Sequence, residues 1–227
     1  MTEKELRDVD FYLTVFHEDE GLLTPCTLNA YASCRPKPEF VQATLKAMVD
    51  PDWVVRGRGA RFLGIAKLSD EDGLISADLW AQSEACLLKL LRDSEQTIRG
   101  EAAVALGRVA PTIANAKAIL PILCTIAEDP LTSKYEMRTV AQALSQFAPV
   151  IPEEVVRMAP VFLNHSDSEV VCIIVFGVAH CGSFATPLVP QIRSLARSRD
   201  EEIRFNAKMT LEHLGVKKSL FVRLFGW

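Results

Sequence analysis

Several things are missing from this 227-residue chain, and each absence removes a class of function. No run of about 18 or more apolar residues occurs, so no segment reads as a membrane-spanning helix. The start, Met1-Thr2-Glu3-Lys4-Glu5-Leu6-Arg7-Asp8, has no apolar signal core, and a cytoplasmic location is the expectation. The six cysteines, at 26, 34, 86, 124, 172 and 181, include no Cys-x-x-Cys pair. Most lie in apolar helical stretches, which predicts reduced core thiols. A Gly-rich phosphate loop, a nucleophile elbow and a metal-ligand pair are all absent from the sequence. The four histidines, 17, 165, 180 and 213, are scattered. His165 lies in Asn164-His165-Ser166-Asp167, a polar turn whose residues suit helix capping. His180 and Cys181 are adjacent, and neighbours on a helix point about 100° apart, so they do not form a dyad. No catalytic residue, no metal, no cofactor and no enzymatic activity are therefore expected. Excess positive charge is lacking too: the net charge is −4 and the pI about 5.6. That argues against broad binding of a phosphate backbone, and nucleic acid is not the expected partner. No Gly/Ser/Pro-rich linker interrupts the chain, which reads as one domain, expected to be a monomer.

What is present is a repeat. The stretch Asp93-Ser94-Glu95-Gln96-Thr97-Ile98-Arg99-Gly100 opens a helix that runs through Ala103, Leu106 and Gly107. Asp50, Val55, Arg56, Gly57, Ala60, Leu63 and Gly64 align beneath Asp93, Ile98, Arg99, Gly100, Ala103, Leu106 and Gly107 without a gap. Weaker copies place Met137-Arg138, Val171-Cys172 and Ile203-Arg204 in the Ile98-Arg99 position. The residue before the Arg column is always apolar, and the one three places after it is small or short: Gly59, Ala102, Ala141, Val175, Ala207. These columns are four residues apart, on one face of a helix, where small side chains let a neighbouring helix approach. An apolar helical segment precedes each copy, roughly at 39–49, 77–91, 116–127, 153–163 and 188–196. Each unit is thus helix, polar turn, helix, with prolines such as Pro38, Pro51, Pro111, Pro130 and Pro152 at helix boundaries.

The pattern Asp-x-x-x-x-Ile-Arg-x-x-Ala-Ala-x-Ala-Leu-Gly at Asp93–Gly107 resembles the second helix of a HEAT repeat. The resemblance covers residues 37–215, most clearly in the first two repeats, and departs in the fourth, where Cys172 replaces the Arg. It implies an all-α fold, an α-α superhelix of about five helical hairpins in the armadillo-like class. It also implies a protein-binding scaffold with second helices lining the concave side, and no chemistry. Residues 1–36 do not fit the repeat and are expected to form an N-terminal helical cap. Residues 216–227, with Leu220, Phe221, Leu224, Phe225 and Trp227, are expected to be an amphipathic tail folded over the last repeat; contact with a membrane surface or a partner groove is the alternative.

Partner-binding candidates follow from those expectations. The first repeat is locally basic, with Arg56, Arg58, Arg61 and Lys67, and Trp53 in its turn. Arg56 lies in the repeated column and reads as structural, paired with a neighbouring turn acid such as Asp93; Arg58, Arg61 and Trp53 are the binding candidates there, with Arg108 in the second repeat. In the third repeat Gln142 and Gln146 share a face with Thr139. In the fourth, Val170–Ala179 is apolar all round. Either neighbouring repeats bury its flanks, or Ile173, Phe176 and His180 form an exposed apolar strip. The function implied is non-catalytic recognition of another protein, as a scaffold or as an inhibitor such as the immunity protein of a secreted toxin. A different class, the HEAT-like DNA glycosylases, would need a basic concave face and an acidic catalytic residue, and no matching constellation can be assigned. Phycobilin lyases also carry such repeats, but no residue here specifies a bilin site.

Overall fold

The computed structural model describes residues 37–216, which hold ten α-helices, one 3-10 segment and no strand. The expected cap at 1–36 and the tail from 217 lie outside the described residues. The chain divides after Leu131 into two compact units.

In the first unit, α1 (Pro38–Ala47), α2 (Trp53–Ser69), α3 (Ala77–Leu90), α4 (Gln96–Val109) and α5 (Ile113–Glu128) follow one another through short turns. Helix α1 packs on α2, α3 on α4, and the second helices α2 and α4 pack on each other. Small residues permit this approach. A Cβ built on Gly59 would lie 3.0 Å from the Thr44 carbonyl oxygen of α1, and one on Gly64 would lie 3.1 Å from Ala105 Cα of α4.

The second unit contains α6 (Lys134–Phe147), α7 (Pro152–Leu163), α8 (Ser168–Ala179), a 3-10 segment (Gly182–Leu188), α9 (Val189–Leu195) and α10 (Glu201–His213). Helix α8 is its centre, packed against α6, α7 and α10. A Cβ on Gly177 of α8 would fall 2.9 Å from Ser145 Cα of α6, so the two backbones touch there. Two hydroxyls seal the layer: Ser145 Oγ donates to the Ile173 carbonyl at 2.9 Å, and Thr210 Oγ1 of α10 donates to the Val175 carbonyl at 3.0 Å.

Turn chemistry sets the helix starts. Asp52, Asp167 and Asp200 each accept a backbone N–H from the first turn of the helix they precede. Ser133 and Glu136 form a reciprocal capping box at α6. Pro38 and Pro152 open α1 and α7, where no N–H partner is lost. Pro121 and Pro160, by contrast, sit inside α5 and α7.

Candidate functional site

The repeated arginine is a structural device. Nη1 of Arg56 donates to the carbonyls of Asp50 and Pro51, both at 2.9 Å. Arg99 does the same to Asp93 and Ser94 at 2.8 and 2.9 Å, and Arg204 to Ser198 and Arg199 at 2.8 and 3.3 Å. In each case the guanidinium reaches back six and five residues and closes its own turn. Arg56 then uses its other edge on the next repeat: Nε and Nη2 donate to the two carboxylate oxygens of Asp93 at 2.7 and 3.0 Å. Hydrogen bonding from Arg56 holds the Asp93 carboxyl below the usual carboxylate range. In the second unit Arg138 reaches Asp167 at 2.8 Å and also pairs with Glu169. Cys172 interrupts the series. It is buried, and burial pushes its thiol up.

The binding candidates fall into two groups, one in each unit. In the first, Trp53 is 48% exposed at the start of α2, and Arg58 and Arg61 are half-buried along the same helix. The basic cluster read from the sequence is divided among several partners. Arg56 serves the turns, Lys67 Nζ sits 4.5 Å over the Trp80 ring, and Arg61 Nη2 pairs with Glu101 of α4 at 3.2 Å. Arg108, in the last turn of α4, lies with its stem over Gly64 of α2. Burial depresses its pKa from the ordinary arginine value, Glu101 opposes that, and nearby Arg61 adds to it.

In the second unit both readings of the fourth repeat hold together. The flanks of α8 are buried, including Val171, Ile174, Val175 and Val178, while Phe176 is 61% exposed and His180 is exposed. Ile173 is half-buried between them. Phe176 and His180 meet edge to face at 5.0 Å, and His180 meets His213 of α10 at 5.7 Å. Phe205 and Met209 are 63% and 50% exposed and share the helix face of His213 at four-residue steps. Gln142 and Gln146 of α6 are half-buried. Thr139 spends its hydroxyl on the Tyr135 carbonyl of its own helix and offers nothing to a ligand. Sequence reasoning missed Phe205, Met209 and His213. Their only signal was their spacing, which is equally that of a core face.

No group of three or more metal-ligating side chains occurs among the described residues. His165 sits in the capped turn expected of it, its Nδ1 accepting the Asp167 N–H at 3.1 Å. Among the described cysteines, 86, 124, 172 and 181 are free, and burial raises the Cys181 thiol to about 11. No described helix is long and apolar enough to cross a membrane.

With this architecture the chain has the fold of armadillo- and HEAT-type helical-repeat proteins. No protein-family profile and no curated protein matches the sequence. Solved structures do. An engineered protein superposes with a TM-score of 0.59 at 20% identity, over 92% of this chain and 96% of that one. A designed armadillo repeat protein in complex with the peptide (KR)4 gives 0.56 at 15% identity, over 91% and 99%. The complex of CpcE and CpcF of phycocyanin lyase from Nostoc sp. PCC7120 gives 0.56 at 16%, over 91% and 77%. These likenesses establish the fold.

Proposed function

We propose that this protein is a non-catalytic binding module that recognises a partner protein through the face formed by α8 and α10. The observation that carries the reading is the Phe176–His180–His213 contact, extended by Phe205 and Met209, an apolar and aromatic strip left open on helices whose other sides are buried. Exposed apolar surface of this kind marks interaction sites, and aromatic residues supply most of the energy at such interfaces. Solved proteins of the same fold include one that holds a peptide and one that pairs with a second subunit, which supports a binding role.

Within that class, an inhibitor such as a toxin-neutralising immunity protein is favoured by the net charge of −4, since an acidic surface suits masking of a basic active site. The protein acts as a monomer in the cytoplasm in this reading. Affinity capture of the tagged protein from its native lysate, run beside Phe176→Asp, tests it. Wild type should recover one stoichiometric protein that the variant does not, with Tm unchanged, because an exposed substitution shifts stability by only about 0.5 kcal/mol. Recovery of the same protein by the variant would sink the strip. Tight, salt-sensitive binding of duplex DNA by the wild type would sink the class.

A further inference from the structure

The first unit carries a second constellation, independent of the strip. It consists of Arg61 and Gly64 on α2 with Glu101 and Arg108 on α4. Arg61 and Gly64 are three residues apart and Glu101 and Arg108 seven, so each pair shares a face of its helix. The two faces meet where Arg61 Nη2 reaches Glu101 Oε1 at 3.2 Å and where Arg108 Cδ lies 3.3 Å from the position a Gly64 Cβ would take. The absent side chain at residue 64 is what lets the Arg108 stem lie flat across α2. Two guanidinium groups thus flank one carboxylate, and the group carries one unbalanced positive charge.

The carboxylate is sunk, with 10% of its side chain accessible, while Arg61 keeps 42%. Arg108 lies between these extremes, and its buried Nε donates to no acceptor. A cation at the end of α4 is favoured by the helix dipole, which accounts for a positive residue there. It does not account for an arginine drawn out of water with an N–H unsatisfied, an arrangement that costs stability unless an acceptor arrives.

The geometry points to an acceptor site for a partner's carboxylate, an Asp or Glu side chain of an acidic peptide segment, bound by Arg108 and Arg61 together. A guanidinium edge with an open Nε–H matches the two oxygens of a carboxylate. A carboxylate is favoured over a phosphate because Glu101 already stands against Arg61, so a doubly charged ligand meets repulsion a single charge meets less. The net charge of −4 further opposes a polyanion.

The test is a titration of the full-length protein with a blocked octa-glutamate peptide at low salt. The expected result is binding that weakens as salt is raised and falls at least about tenfold in both Arg108→Gln and Arg61→Gln. Arg61 is partly exposed, so its variant stays folded if Arg108→Gln does not, and a thermal melt on each confirms it. Glu101→Gln, by removing the competing charge, should tighten binding. Absence of binding at low salt, or binding that both arginine variants leave unchanged, overturns the assignment. Tighter binding of a matched phosphopeptide or of duplex DNA than of octa-glutamate overturns the choice of carboxylate.

Discussion

At the scale of residues, the Arg56–Asp93 pair is the most informative contact. Asp93 accepts from both nitrogens of Arg56 on one edge and from the Glu95 N–H at 3.0 Å, so its charged form is strongly preferred in the folded state. Its folded pKa therefore lies below the unfolded one. The stabilisation is fully present above the ordinary carboxylate value of about 3.9 and is lost as pH falls through the folded value. Asp167, held down by its hydrogen bond from Arg138, follows the same sign. Chemical denaturation should show Arg56→Ala less stable by about 1–2 kcal/mol at neutral pH after solvent screening. The gap between wild type and Asp93→Asn should close as the pH is taken from neutral into the acid limb. A gap that persists unchanged below the carboxylate range would place the energy of this contact elsewhere. Cys181, buried and with its thiol raised to about 11, should react with a thiol reagent only on unfolding.

At the scale of elements, α8 is the helix on which the second unit turns, and its two faces predict opposite outcomes. Gly177→Ala would drive a methyl group into the backbone of Ser145, and α6 cannot yield without losing the Ser145–Ile173 hydrogen bond. Overpacking of this kind costs about 1–3 kcal/mol or more, visible as a clear drop in Tm. Much of this element was legible beforehand. An apolar sequence on all sides meant buried flanks, and those flanks are buried because α6 and α10 cover them. The Arg column and the small column likewise predicted the turn closure and the close packing, since a repeat shows each local interaction several times over. What could not be read were contacts that occur once. Glu101 lies among alanines as any solvated glutamate would, and only folding brings Arg61, 40 positions earlier, against it. His180 and His213 are 33 positions apart, and no periodicity joins them. Pro121 and Pro160 would have been taken as helix ends. Their carbonyls accept from Thr125 and Asn164 instead, and the helices run through.

At the scale of the whole molecule, the rung from one repeat to the next is present in some places and absent in others. Arg56 ties α2 to the turn before α4, and Arg138 ties α6 to the turn before α8. Cys172 can make no such tie to the turn before α10, and α10 is held by apolar packing and the Thr210–Val175 hydrogen bond. Repeat arrays come apart at their weakest interface. Native-state hydrogen exchange should therefore find α10 opening before α8, and Thr210→Val should widen that difference. Equal protection of the two helices would show that the missing rung carries no energetic weight. The division into two units had no warning in composition, because the break after Leu131 falls in a turn no richer in glycine or serine than the others.

Phe176 and Gly177 are neighbours in the chain with opposite tolerances. In a saturation library selected for folding, position 177 should return glycine alone, while position 176 should accept nearly every letter. The same library selected for binding should reverse the second result. Two adjacent codons would then separate what keeps the protein standing from what it holds, and the partner could be changed through one of them without disturbing the other.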